Sequence, residues 1–160
     1  FGSLNPAKRI GWILQEPLKL RGIRNRQERL RMVDEMLVQI GLDASYKNRY
    51  AHELSGGQRQ RISIGIALLG GSKLMIADEP VSALDVTVQS QILKLLLELH
   101  EKNHLTMIFI SHDLSVVRGM CHRVAVMYQG QIVEIGDAEE VYEHPQHEYT
   151  KLLLAASLNE

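Results

Sequence analysis

Residues 74–79, Leu-Met-Ile-Ala-Asp-Glu, constrain this chain more than any other stretch. Four consecutive apolar residues without alternation fit a buried strand of a parallel sheet, and the run ends on two acids. Parallel strands need a crossover connection, commonly a helix. The sequence supplies one. Between Val86 and His100, the residues Val88, Ile92, Leu95, Leu96 and Leu99 fall on one helical face, and Thr106–Ile110 is a second short apolar run. Strand, helix and strand in this order predict an α/β core. Each strand then delivers the residues after it to the carboxyl edge of the sheet, where open α/β folds bind ligands.

Upstream the pattern is helical. Residues 1–25 are rich in Gly, Pro and basic residues, and Trp12, Ile13 and Leu14 predict a short helix ending before Pro17. Leu30, Val33, Met36, Leu37 and Ile40 recur at helical spacing from Arg26 to Ile40, with Gly41 as the stop. Gly56–Leu69 reads as another helix. Downstream, Arg123–Tyr128 and Gln131–Ile135 predict a hairpin about Gln129-Gly130, followed by helices over Asp137–Glu143 and Tyr149–Ala156. The expected organisation is a helical subdomain over residues 1–70 and part of an α/β core over residues 71–160.

Composition narrows the function classes. The formal net charge of −1 gives no reason to expect nucleic-acid binding. The basic cluster from Arg21 to Arg31 is mixed with Gln and Glu and reads as a solvated helix face. One cysteine, Cys121, makes an internal disulfide impossible and suits a reducing compartment. No apolar run approaches the roughly 18–20 residues of a membrane span, so any membrane association is expected through a partner.

Three short motifs carry chemistry. In Leu54-Ser55-Gly56-Gly57-Gln58, Ser55 is placed as an N-cap and Gln58 completes a capping box. Paired glycines there leave backbone amides open at a positive helix end, which suits an anion such as phosphate. Asp78 and Glu79 stand at the end of the first strand. One acid can support Mg²⁺ through water, and the next can orient or deprotonate an attacking water. After the second strand, Ser111-His112-Asp113 brings a histidine to the same sheet edge. Each motif alone has a bland explanation: a capped helix, a solvated pair of acids, a structural histidine.

Together, in this order and spacing, and with Ser82-Ala83-Leu84-Asp85 between them, they resemble the ABC-type ATPases. Leu54–Gln58 is similar to that family's signature, Leu74–Glu79 to its Walker B motif, Ser82–Asp85 to its D-loop, and His112 to its H-loop. Phe1–Pro6, Glu79–Val86 and the tail from His144-Pro145 to Leu153 are similar to the oligopeptide/dipeptide (or nickel) importer branch; Glu148 stands where that branch more often has proline. The resemblance covers nearly the whole chain.

The resemblance implies an α/β, ABC-type P-loop NTPase: a helical subdomain plus the C-terminal part of a RecA-like core. It implies ATP and Mg²⁺ as cofactors. By this likeness Ser55, Gly56, Gly57 and Gln58 serve ATP held by a second ATP-binding subunit in a head-to-tail dimer, expected to be a heterodimer. Asp78 supports Mg²⁺, Glu79 positions the hydrolytic water, His112 contacts the γ-phosphate, and Ser82 and Asp85 link the two sites. Further implied partners are transmembrane permease subunits and, indirectly, an extracytoplasmic solute-binding protein. The implied location is peripheral, on the cytoplasmic face of the membrane. Residues 1–25 would lie near the docking surface, with Trp12 and Arg21 as contact candidates.

The departure is the phosphate loop. No Gly is followed by Lys anywhere in the chain, so G-x-x-x-x-G-K-[ST] does not occur, and the Q-loop glutamine expected before Phe1 is not in the sequence. The expectation is a truncated chain, inactive alone, with buried strand edges and apolar faces uncovered. Two other readings share some of these motifs. One is an ATPase lobe of the chromosome-maintenance or DNA-repair type, which would show a long heptad segment upstream of the signature. The other is a non-catalytic module of the same fold, against which intact Glu79 and His112 argue.

Overall fold

A computed structural model of the chain describes residues 4–157. Phe1, Gly2 and Ser3 of the importer-like opening lie outside the described residues. The fold divides into two units. One holds the chain up to Ile76 together with Pro80–Ile108; the other holds Ala77–Glu79 and the chain from Phe109 on.

In the first unit, α1 (Ile10–Leu20), α2 (Arg26–Gln39) and α3 (Gly56–Leu69) pack against one another. Ile10, Leu14 and Leu18 of α1, Val33 and Leu37 of α2, and Ile62 of α3 are completely buried. Asn25 caps α2, its side chain accepting from the Gln27 and Glu28 amides at 2.8 and 3.2 Å. The helix stops at Gly41, whose φ of 72° lets the Leu42 amide turn back to the Leu37 carbonyl at 2.8 Å.

Pro17 does not end α1, which continues to Leu20. Proline in a helix interior forfeits a hydrogen bond and costs about 3 kcal/mol. Continuing past it buries Leu18 fully and lets the Leu18 carbonyl accept from Ile23 at 3.1 Å. Burial of one leucine offsets roughly 1.5–3 kcal/mol of that cost. Tertiary packing overrides the local signal. Arg21, a docking candidate by sequence, donates from Nη1 to the Leu69 carbonyl at 3.0 Å and so caps the end of α3.

Strand β1 (Leu74–Asp78) pairs with β2 (Thr106–Ile110). The Thr106 amide donates to the Lys73 carbonyl at 2.8 Å, and the Glu79 amide donates to the Ile110 carbonyl at 2.9 Å. The partners advance together, so the strands are parallel, and α4 (Val86–Asn103) makes the crossover. The sequence predicts burial on both faces of β1. Met75 and Ala77 are buried, but Leu74 and Ile76 are 46 % and 62 % exposed, and Ile108 and Ile110 on β2 are 48 % and 46 % exposed. Among the described residues these four side chains are only partly covered.

In the second unit, α5 (Leu114–Met120) precedes an antiparallel hairpin of β3 (Arg123–Tyr128) and β4 (Gln131–Asp137), followed by α6 (Ala138–Glu143) and α7 (Glu148–Ser157). Gln129 and Gly130 have φ of 49° and 79°, the two positive values a tight type I′ hairpin turn requires. A register shift between Val126 and Met127 bends the ribbon. Helix α5 was not legible in the sequence: it has seven residues, and its strongest signal is Asp113, which caps it.

The tail around His144 and His147 is tied to β4. Glu134 accepts from the Gln146 and His147 amides at 2.8 and 3.0 Å, at the entrance to α7. Tyr149 stacks on Tyr128 with ring centroids 4.1 Å apart. Thr150 is 1 % exposed. The nearby Thr150 hydroxyl, although it completes no hydrogen bond by geometry, and then the two bonded amides hold the Glu134 carboxyl below the ordinary carboxylate range.

Candidate functional site

The sequence-predicted residues fall into two groups, one in each unit. Asp78, Glu79 and His112 belong to the second unit. Asp78 is the last residue of β1 and is exposed. Glu79 follows with φ of 47°, a left-handed backbone that a non-glycine residue adopts at a cost. Its amide is held by the Ile110 carbonyl, so the turn is fixed by the neighbouring strand.

His112 lies just past the end of β2, and its Nδ1 is 2.8 Å from Glu79 Oε1. The two side chains are 33 residues apart in sequence and are brought together by the pairing of β1 with β2. The Glu79 side chain is 36 % exposed and that of His112 76 % exposed, so the pair is open to a ligand and to water. Asp113 caps α5. The Ser115 hydroxyl acts first and the Val116 amide second to hold its carboxyl below the usual range, with the amides of Ser115 and Val116 at 3.0 and 3.1 Å.

The first unit holds Ser55–Gln58 and Ser82–Asp85. The predicted capping box is present: Ser55 Oγ accepts from the Gln58 amide at 3.3 Å, and Gln58 Oε1 accepts from the Ser55 amide at 3.0 Å. Gln58 Nε2 also donates to the Tyr46 hydroxyl at 3.0 Å, so this side chain shapes the turn. Gly57 is buried, and Ser55 is exposed at the helix start. Asp85 Oδ1 accepts from the Val88 amide at 3.0 Å and caps α4.

Sequence reasoning missed two residues here. Gln89 donates from Nε2 to the carbonyls of Val81 and Leu84, each at 3.1 Å, and so holds the segment containing Ser82 and Asp85. Arg61 donates to the Ile40 carbonyl at 2.9 Å, tying α3 to the end of α2. Neither has a periodicity or motif signal; both are polar helix residues that act on distant backbone.

Among the described residues no cluster of three His, Cys, Asp or Glu side chains is placed to hold a metal by itself. Mg²⁺ sites on nucleotides use one or two carboxylates plus waters and phosphates, so a single exposed Asp78 suits that kind of site. No described helix is long and apolar enough to cross a membrane.

Residues 3–82 match the family model described as ABC transporter. The chain is 51 % identical over 98 % of its length to a Brucella ovis protein named "Putative peptide import ATP-binding protein", covering 49 % of that protein. It is 49 % identical over 98 % of its length to the oligopeptide transport ATP-binding protein AppF of Bacillus subtilis, covering 47 % of it. The chain thus spans about half the length of these curated relatives. Among solved structures it is similar to the ATP-binding cassette MJ0796 in a dimeric post-hydrolysis state with ADP and Pi. The TM-score is 0.74 at 29 % identity, over 85 % of this chain and 59 % of that one.

Proposed function

The chain belongs to the ABC transporter family, and on that premise we propose that it is the signature and Walker B portion of an ATP-hydrolysing subunit of a peptide importer. The observation that carries the hydrolytic part is the Glu79–His112 pair, 2.8 Å apart beyond the ends of two adjacent parallel strands. The peptide branch rests on relatives named for peptide import and oligopeptide transport.

In this reading Glu79 orients the attacking water and takes its proton, which requires a carboxylate held in place and open to solvent. The left-handed backbone at Glu79 and the hydrogen bond to His112 do the holding. His112 contacts the γ-phosphate. Asp78 supports Mg²⁺, which when bound neutralises charge on the phosphates. Ser55, Gly56, Gly57 and Gln58 face ATP held by a second ATP-binding subunit, and Ser82 and Asp85 lie at that interface. The start of α3 is suited to the task because it carries the positive helix end.

The functional division is a helical subdomain over residues 1–70 and a partial RecA-like core over residues 71–160. The partners are a second ATP-binding subunit, in a head-to-tail heterodimer, and transmembrane permease subunits, with a solute-binding protein acting through them. The subunit works at the cytoplasmic face of the membrane, peripherally. The phosphate loop and Q-loop glutamine belong to chain beyond this sequence, since its relatives are about twice as long. The exposed Leu74, Ile76, Ile108 and Ile110 are then the faces which that remainder covers.

The test is Glu79→Gln in the full-length chain. Turnover should fall by about a thousandfold while ATP affinity is retained, as expected when a group acts in the transition state alone. Undiminished hydrolysis would sink the assignment of Glu79.

A further inference from the structure

The glycines of the Ser55–Gln58 turn have a steric reason to be small that is separate from any ligand. Gly57 is buried at the start of α3. A Cβ built on it collides with Cγ1 of Val88, in the first turn of α4. A Cβ on Gly56 would lie 3.1 Å from Cδ2 of Leu84, tighter than ordinary packing. The branched valine cannot swing aside easily, because a helix leaves it one strongly preferred rotamer. Beyond that methyl the space is adequate: the Val88 Cβ would be 3.8 Å from the added atom.

Val88 is itself fixed. Its amide is bonded by Asp85 Oδ1, and Gln89 beside it holds the Val81 and Leu84 carbonyls. The turn that opens α3 therefore rests on residues whose backbone is continuous with Ser82–Asp85.

We propose that Val88 is a positioning residue: it seats the N-terminus of α3, so that Ser55–Gln58 and Ser82–Asp85 are held in one fixed register. It touches no nucleotide in this scheme. Its effect on turnover rests on the reading of the two segments as nucleotide-facing; the seat itself does not. If glycine at 57 were needed only for close approach to phosphate, the identity of residue 88 would not matter. If Val88 imposes the glycine, shrinking Val88 makes room for alanine.

The experiment is a double-mutant cycle in the full-length chain: Gly57→Ala, Val88→Ala and both together, each followed by ATP turnover, ATP affinity and thermal unfolding. Gly57→Ala should lower kcat about tenfold and lower Tm, leaving the Kd for ATP unchanged, because in the proposed reading each ATP is gripped by a phosphate loop and not by this turn. Val88→Ala alone should lower kcat about twofold, by loosening the seat. The double variant should match Val88→Ala in both kcat and Tm. A double variant as slow as Gly57→Ala would overturn the proposal. So would recovery of Tm without recovery of kcat, which would leave Val88 a packing residue only. If the parent itself fails to hydrolyse ATP, the functional reading falls, yet the Tm cycle still decides the seat: additive Tm losses would refute it.

Discussion

At the scale of single residues, the chain shows two ways of holding a polar group in place. Glu79 is aimed by its backbone, through a φ of 47° and an amide bonded to Ile110, before its side chain meets His112. Asp113 is held by its ligands, and its depressed carboxyl makes a pH prediction. A carboxyl whose folded value lies below its unfolded value stabilises fully above the unfolded value, and that stability is lost as pH falls toward the folded one. The cap on α5 should therefore be complete at neutral pH and weaken in acid. Asp113→Ala should cost about 1 kcal/mol at pH 7, the usual value for losing an N-cap, and less at pH 3. Urea unfolding at the two pH values checks this; an equal loss at both would contradict the capping account. The acids at the end of β1 and the histidine after β2 were legible because each follows an apolar run. Their contact was not, since it depends on two strands choosing each other across 33 residues.

At the scale of elements, boundaries set by local chemistry were readable, and those set by packing were not. Ser55 with Gln58, Asp85 and Gly41 mark helix ends by capping or turn geometry, and each sits where its residue type predicts. Pro17 misleads because Leu18 is worth burying. The seating of α3 on Val88 leaves no trace in periodicity, since Val88 belongs to an unbroken apolar stripe. The clasp of Glu134 on α7 is hidden for a similar reason: an acid in a strand reads as a solvated face. Removing that clasp should free one element and leave its neighbours. Glu134→Gln should raise hydrogen exchange across Glu148–Leu154 by about tenfold while the β3–β4 hairpin keeps its protection. Because the Glu134 carboxyl is held below its ordinary range, the same release should follow in the parent as pH falls through that depressed value. Uniform exchange in variant and parent would show the clasp to be dispensable.

At the scale of the whole molecule, the groups proposed to be catalytic stand in a sequence that has no phosphate loop. The P-loop amides and lysine that cradle phosphates in related ATPases have no counterpart in the sequence. The chain by itself should therefore show no micromolar affinity for Mg-ATP by isothermal titration, and no turnover. A micromolar dissociation constant would mean that the start of α3 and the acids at the end of β1 suffice. The fold class was legible because strand, crossover helix and strand is a local sequence of events. The extent of the sheet was not, since among the described residues β1 and β2 form a sheet of two strands and each leaves apolar side chains exposed.

Those exposed side chains change how tolerance to substitution should be read. Ile76 is 62 % exposed in this chain, and by accessibility alone it ranks among surface positions where polar replacements are free. On the proposed reading, its place in an unbroken apolar run leading directly to Asp78 and Glu79 makes it interior in the full-length subunit. A library screened for folding of these 160 residues would enrich soluble, polar variants at positions 74, 76, 108 and 110. If the proposed remainder of the subunit closes on this surface, the variants so rewarded are the ones that would spoil it.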